Sequence, residues 1–134
     1  MRNLLSMIVI ILAFTPGQLW AEAPSATSPD GRRVATADDK TVVMKENQKV
    51  VFKTEFHKSA ITAVAFSPDG KQLVSTDKDG KLNLMDAATG KQLLSLTTVV
   101  GANKVSFSAD GRTLEVKSPT VTKKYDPATG KEQN

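Results

Sequence analysis

The sequence of 134 residues contains no cysteine. It therefore forms no disulfide bond and offers no thiol nucleophile, thiolate metal site or cysteine for lipid attachment. Dense basic runs are also missing, since the longest are the pairs Arg32-Arg33 and Lys123-Lys124. A nucleic-acid interface needs a basic stripe, and a membrane-surface patch needs clustered lysine and arginine. We therefore expect neither nucleic acid nor a lipid surface as a partner.

Patterns typical of enzyme sites are absent as well. The sequence has one histidine, His57, and contains no glycine-rich phosphate loop, nucleophile-elbow pattern or series of metal ligands. Asp77 and Asp79 stand close together, but they lack the longer acidic pattern of a calcium-binding loop. We predict no catalytic residue, no metal ligand and no cofactor-binding residue, and we expect a protein without a cofactor.

The N-terminal region has one apolar run, residues 4–14, which follows the positive charge of Arg2. A membrane-spanning helix needs roughly 20 residues, so this run of about 11 is too short for a stable anchor. The order of charge, apolar core and small residue predicts a secretory signal peptide over residues 1–21, cleaved after Ala21. Cleavage after Ala23 and a buried N-terminal helix are the alternatives. We therefore expect a periplasmic or secreted protein.

Two turn motifs recur with a period of about 40 residues, which is typical of stacked structural units. The tetrapeptide Ser-Pro-Asp-Gly occupies residues 28–31 and 67–70, and Ser-Ala-Asp-Gly occupies residues 108–111. The hexapeptide Asp-Ala-Ala-Thr-Gly-Lys at residues 86–91 returns as Asp-Pro-Ala-Thr-Gly-Lys at residues 126–131. Proline, aspartate and glycine each favour particular positions of a tight turn, so both motifs predict turns.

The segments between these turns alternate apolar and polar residues, which predicts half-buried strands. The pattern places Leu82 and Leu84 together on one face of a strand, and it places Val50 and Phe52 on the inner face of another. Residues 61–66 are apolar on both faces, which is typical of a strand buried on both sides. No segment beyond the signal peptide shows a helical period, so the sequence predicts an all-β fold.

The middle of the chain, residues 57–96, resembles a WD-repeat unit, which is a blade of a β-propeller. The residues that carry the resemblance are His57, the apolar run 61–66, the turn 67–70, the pair Asp79-Gly80 and the strand that ends at Asp86. The resemblance implies β-propeller-type blades, each a four-stranded antiparallel sheet. Looser matches on both sides divide the chain into about three units, at residues 22–56, 57–96 and 97–134.

The resemblance also implies a structural set of side chains, because WD-repeat blades often join a histidine, a serine, a turn aspartate and a tryptophan by hydrogen bonds. It places His57, Ser75 and Asp79 in the first three roles. Met85 stands at the tryptophan position, and Asp86 keeps the acid that follows it. Structural roles also fall on six turn glycines: Gly31, Gly70, Gly80, Gly90, Gly111 and Gly130.

The flanking units depart further from the family pattern. In the third unit Tyr125-Asp126 replaces Trp-Asp, and Pro119 stands where the turn aspartate is expected. In the first unit Lys45-Glu46 occupies the Trp-Asp position, with Met44 as the alternative one residue earlier. These departures weaken the predicted hydrogen-bonded set, but they leave the strand pattern intact.

Three units are fewer than the four to eight blades that typically close a propeller. We expect a short or missing innermost strand in the first unit and a missing outermost strand in the third, which gives ten or eleven strands. We also expect the open faces of the end blades to expose apolar surface. Two arrangements follow: a homo-oligomer whose copies complete a propeller, or an open arc of three blades.

The function that the resemblance implies is a protein-binding or scaffold module without catalytic activity. Its expected partners are proteins. A truncated or vestigial propeller fragment with no independent function is the alternative, and a propeller-type enzyme is less favoured because the sequence lacks the patterns described above.

Overall fold

The computed structural model describes residues 23–133, and within them it contains twelve β-strands and no helix. The all-β prediction is therefore confirmed. No helix in this part of the chain is long and apolar enough to cross a membrane. The predicted signal peptide, residues 1–21, and its cleavage site after Ala21 lie outside the described residues.

Three antiparallel sheets of four strands follow one another along the chain, and we call them the first, second and third blades. In each blade the strands pair in sequence order, as short turns between antiparallel strands allow. The first blade consists of β1 (Ser25–Thr27), β2 (Arg33–Asp38), β3 (Thr41–Glu46) and β4 (Lys49–Thr54). The second consists of β5 (Ile61–Phe66), β6 (Gln72–Asp77), β7 (Lys81–Asp86) and β8 (Gln92–Thr97). The third consists of β9 (Lys104–Phe107), β10 (Leu114–Lys117), β11 (Thr122–Tyr125) and β12 (Glu132–Gln133).

The two terminal strands test the expected strand count. The three-residue β1 is short, as predicted. The outermost strand of the third blade, predicted to be missing, is present: Glu132 pairs with Tyr125, and Gln133 pairs with Lys124. The turn at Gly130 reverses the chain early enough for these two residues to pair. The described residues therefore contain twelve strands rather than ten or eleven.

The second blade is buried on both of its faces, which agrees with the prediction for residues 61–66. One apolar cluster fills the space between the first and second blades, and its buried members are Ala35, Ala37, Val42, Met44, Ile61, Val64, Leu73, Met85 and Ala87. The cluster between the second and third blades contains Ala63, Val74, Leu82, Leu84, Ala102, Val105, Leu114, Val116 and Tyr125. Consecutive residues of a strand point to opposite faces, so Leu73 belongs to one cluster and Val74 to the other.

The faces of the first and third blades that point away from the second blade are more polar than predicted from the sequence. We call them the outward faces. Strand register places these residues on the third blade's outward face: Lys104, Ser106, Glu115, Lys117, Thr122, Lys124 and Gln133. The outward face of the first blade carries Ser25, Thr27, Val34, Thr36, Asp38, Thr41, Val43, Lys45, Val50 and Lys53. The expectation of broadly apolar open faces is therefore wrong, since only three valines interrupt the polar residues.

Strand β4 departs from the predicted alternation. Its register with β3 shifts, because Met44 pairs with Phe52 whereas Lys45 pairs with Val50. Val51 is the extra residue of this β-bulge. Phe52 packs against the first apolar cluster as predicted, but Val50 is 52% exposed, so its predicted inward position is wrong.

Two turn glycines mark where neighbouring blades approach most closely. Gly90 has a φ of +78°, and a Cβ added there would lie 2.7 Å from Cδ1 of Phe52 in the preceding blade. Gly130 repeats the arrangement, with an added Cβ 3.1 Å from Cδ1 of Leu94. In both cases the outermost strand of one blade packs on the last turn of the next blade. Glycine is needed at Gly90 for the backbone conformation and for space.

Candidate functional site

The turns between the first and second strands have the same hydrogen bonds in every blade. In the second blade the Ser67 hydroxyl donates to Asp69 Oδ1 at 2.6 Å, and the backbone N–H of Lys71 donates to the same oxygen at 2.9 Å. The backbone N–H of Gln72 donates to the Ser67 hydroxyl oxygen at 3.0 Å. Equivalent bonds form in the first and third blades. The repeated motif is therefore a repeated turn, as predicted from its residues.

These bonds lower the pKa of the turn carboxyl groups below their ordinary value. For Asp30, Asp69 and Asp110 the largest cause is the bond from the serine hydroxyl, followed by a backbone N–H. The pKa of Asp86 is lowered mainly by the backbone N–H of Ala88, which donates at 2.8 Å. Bonds of this kind favour the ionised carboxylate over the neutral acid. The edge of the blades that carries these turns therefore presents fixed negative charges at neutral pH.

A cleft of about 420 Å³ lies at this edge between the first and second blades, and we call it the turn-edge cleft. Its lining residues are Ser28, Pro29, Asp30, Arg33, Asp69, Gly70, Lys71, Asp86 and Ala88. The cleft mixes both signs of charge. Arg33 Nε donates to Glu46 Oε1 at 3.1 Å, and the positive charge of Arg33 adds to the lowering of the Asp86 pKa. A similar concavity between the second and third blades has Gln72 at the position equivalent to Arg33.

A buried polar network lies inside the second blade. Nδ1 of His57 donates to Asp77 Oδ2 at 2.8 Å, because a carboxylate can only accept. Nε2 of the same ring lies 2.7 Å from Ser75 Oγ, and in the neutral imidazole it accepts the hydroxyl hydrogen. The backbone N–H groups of Asp79 and Lys81 donate to Asp77 Oδ1 at 2.9 and 3.0 Å. The network ties the segment before β5 to β6 and to the turn before β7.

The structure corrects the acid of the predicted set. Asp77, not Asp79, binds His57, while the exposed Asp79 accepts a hydrogen bond from the Ser59 hydroxyl. The reason is the two-residue period of a strand: Ser75 and Asp77 are two positions apart on β6 and point to the same face. Asp79 follows in the turn, where its side chain points outward. The alternation along β6 was the signal that could have identified Asp77.

Two further members of the network were not predicted. Asn83 on β7 pairs with Ser75 across the sheet, and its Nδ2 lies 3.4 Å from His57 Nε2. Gln92 on β8 donates to Asn83 Oδ1. Register alone brings these side chains together, and neither residue type marks such a role in the sequence.

The remaining predicted residues occupy packing and turn positions. Met85, at the tryptophan position, is fully buried against the first blade. Asp86 closes the turn between β7 and β8, where its Oδ1 also accepts from the backbone N–H of Thr89 at 3.1 Å. All six predicted turn glycines have positive φ: Gly31, Gly70, Gly80, Gly90, Gly111 and Gly130.

The order hydroxyl, imidazole, carboxylate in the network is the order that activates a serine nucleophile in hydrolases. Burial excludes that chemistry here. Ser75 is 0% exposed, Asp77 2% and His57 5%, so a substrate has no access to the hydroxyl oxygen. Among residues 23–133 there is also no group of three or more acidic or histidine side chains that could hold a metal ion. The arrangement joins parts of a blade and has no open reacting atom.

Comparison with known proteins supports the same interpretation of the fold. The family described as the anaphase-promoting complex subunit 4 WD40 domain matches residues 33–110, which is more than half of the chain. The chain belongs to the WD40-repeat family. The match starts at the first residue of β2 and ends in the Ser-Ala-Asp-Gly turn of the third blade, so this WD40 protein matches its family mainly through its first two blades.

A curated relative of this WD40 protein is WD repeat-containing protein 90 of Mus musculus. The two are 29% identical over 103 residues, which is 75% of this chain. The WD40 protein spans only 5% of the length of that relative. The similarity therefore concerns the repeat and does not extend to the whole mouse protein.

Proposed function

We propose that this WD40 protein is an exported, non-catalytic binding or scaffold module that holds a protein partner in the turn-edge cleft. Export is supported by the charged start, short apolar run and small residues of residues 1–21. A binding role is supported by family membership, since WD40 domains typically mediate protein–protein interaction. A non-catalytic role is supported by the burial of the only serine–histidine–aspartate set found among the described residues.

The observation that carries the choice of surface is the mixed charge of the turn-edge cleft. Asp30, Asp69 and Asp86 offer carboxylates to the cleft, and Arg33 and Lys71 offer positive charges. A peptide segment has both donors and acceptors, so it matches such a lining better than a purely apolar or purely acidic ligand would. Turn hydrogen bonds hold Asp69 and Asp86, and the ion pair with Glu46 holds Arg33, which limits the entropy lost on binding.

A photo-crosslinking residue at Ala88, which is exposed and lines the cleft, tests this proposal. The same residue at Thr120, in a turn at the opposite edge, is the matched control. We expect a reproducible protein adduct in the cell envelope from Ala88 and none from Thr120. We expect Arg33→Gln, which introduces the side chain found in the second blade, to abolish the adduct, while Arg32→Gln on the adjacent exposed residue leaves it.

Equal adducts from both positions, or an adduct insensitive to Arg33→Gln, would contradict binding in the cleft. Mass spectrometry of the N-terminus of the protein purified from cells tests export separately. We expect cleavage after Ala21, and an intact N-terminus would contradict export through a cleaved signal peptide.

A further inference from the structure

The outward face of the third blade differs systematically from the equivalent face of the second blade. Strand register aligns the two blades position by position. One row across the second blade, facing the third, is Ala65, Val74, Leu84 and Leu94. The equivalent row on the outward face of the third blade is Ser106, Glu115, Lys124 and Gln133. Each of the four apolar residues of this row thus corresponds to a polar or charged residue in the third blade.

The neighbouring row shows the same change. Ala63, Thr76 and Leu82 of the second blade correspond to Lys104, Lys117 and Thr122 of the third. These three residues of the third blade are exposed. On the same face the Lys117 ammonium lies 3.1 Å from Glu115 Oε1. Burying such a face under another blade would remove three lysines and one glutamate from water, which is costly without matched partners.

The other end of the stack does not offer matched partners. The outward face of the first blade carries Lys45 and Lys53 where the second blade has Met85 and Ser95. A ring of several copies would pack this face on the outward face of the third blade of the next copy. The contact would then bring together five lysines with two acids. These are Glu115, which already pairs with Lys117, and Asp38, which shares the outward face of β2 with Thr36. Like charges at a dry interface oppose association.

We propose that the outward face of the third blade is a cap that prevents blade-on-blade packing, so that copies of this chain do not close a ring. The three blades form an open stack whose two ends face water, as polar terminal units do in other repeat architectures. Of the two arrangements expected from the sequence, the geometry points to the open arc. This inference does not depend on the proposed binding cleft.

The decisive experiment makes the outward face of the third blade apolar at three positions, two in the first row and one in the neighbouring row. The triple variant Lys104→Ala, Glu115→Val, Lys124→Leu gives the third blade the side chains that occupy the same positions in the second blade. A control variant makes the same kinds of change at exposed positions off the outward faces: Lys58→Ala, Glu132→Val, Lys91→Leu. Light scattering after gel filtration measures the mass of each protein purified from cells that express the full chain.

We expect the mass of one chain for the natural protein and the control variant at every concentration, and concentration-dependent multiples for the triple variant. A natural protein whose mass is a multiple of one chain would overturn the proposal. So would a folded triple variant that stays monomeric.

A second measurement does not depend on whether the triple variant folds. Because the chain has no cysteine, the double variant Lys45→Cys, Lys124→Cys can form an intermolecular disulfide where two outward faces meet. Under mild oxidation we expect no more linked oligomer than from Lys58→Cys, Lys91→Cys. Rapid and complete linkage of the 45/124 pair would show that the faces pack together and would overturn the proposal.

Discussion

The replacement of Asp77 by alanine should strongly destabilise the protein, because this carboxylate serves three donors at once. They are His57 Nδ1 and the backbone N–H groups of Asp79 and Lys81, all within 3.0 Å. A buried donor left without a partner costs about 1–3 kcal/mol, and a part-buried donor costs less. Removing the carboxylate that serves all three donors should therefore lower the free energy of unfolding by about 3–5 kcal/mol. Since a small domain has only about 5–15 kcal/mol of stability in total, much of the population would unfold on mild heating.

The matched control is Asp79→Ala, two residues along in the turn. Asp79 is exposed, and its side chain accepts one hydrogen bond from Ser59, so we expect a loss below about 1 kcal/mol. Urea unfolding followed by far-ultraviolet circular dichroism compares the two variants. If Asp79→Ala proved the more destabilising of the pair, the assignment of Asp77 to the network would be refuted.

Three further results are expected. Gly90→Ala should destabilise the protein by about 1–3 kcal/mol more than Gly31→Ala. Both residues have positive φ, but only a Cβ at Gly90 would meet the Phe52 ring. Equal losses of stability in thermal unfolding would contradict the close contact between the first and second blades. Turn carboxyl groups such as Asp69 and Asp110 have a lowered pKa, so they bind protons more weakly in the folded state than in the unfolded state. Their contribution to stability is therefore complete at a pH above their ordinary pKa of 3.8, and it is lost as the pH falls below that value. Melting temperatures measured from pH 6 to about pH 2.5 should fall at the acidic end, and Asp69→Asn should flatten that fall; an unchanged profile would show that the turn bonds do not stabilise the fold. Leu84→Ala should lower the free energy of unfolding, measured in urea, by about 2–5 kcal/mol, because Leu84 is fully buried. Lys124→Ala, at the equivalent exposed position of the third blade, should change it by less than about 0.5 kcal/mol. Similar losses for the two variants would contradict the exposure of that face.

The architecture could be predicted from the sequence because its signals are local. Turn motifs such as residues 67–70 indicate where strands end, and the alternation through Leu82 and Leu84 indicates which side chains share a face. The β-bulge at Val51 could not be predicted, because it depends on how β3 and β4 pair across the sheet. The two-residue β12 was missed for a similar reason, since its pairing with β11 supplies the only sign that it is a strand.

The buried network was predicted only in part, because resemblance locates residues along the chain and not on a face. The family pattern names His57 and Ser75, and in the network His57 Nε2 lies 2.7 Å from Ser75 Oγ. The family pattern predicts Asp79 because it puts an aspartate in the hairpin turn, whereas the face of β6 decides which carboxylate meets the histidine. Asn83 and Gln92 belong to the network through sheet register, which the sequence does not display.

The first and third blades enclose the second blade and expose their own outward faces to water. Residue-resolved hydrogen exchange of the native protein is the most direct test of this arrangement. Backbone amides exchange slowly where opening requires the loss of buried packing on both sides. We expect the slowest exchange in β6 and β7, faster exchange in β2, β3, β10 and β11, and the fastest in β1 and β12. Equal protection of the central strands of all three blades would contradict the open stack, because it would mean that the outward faces are covered as well.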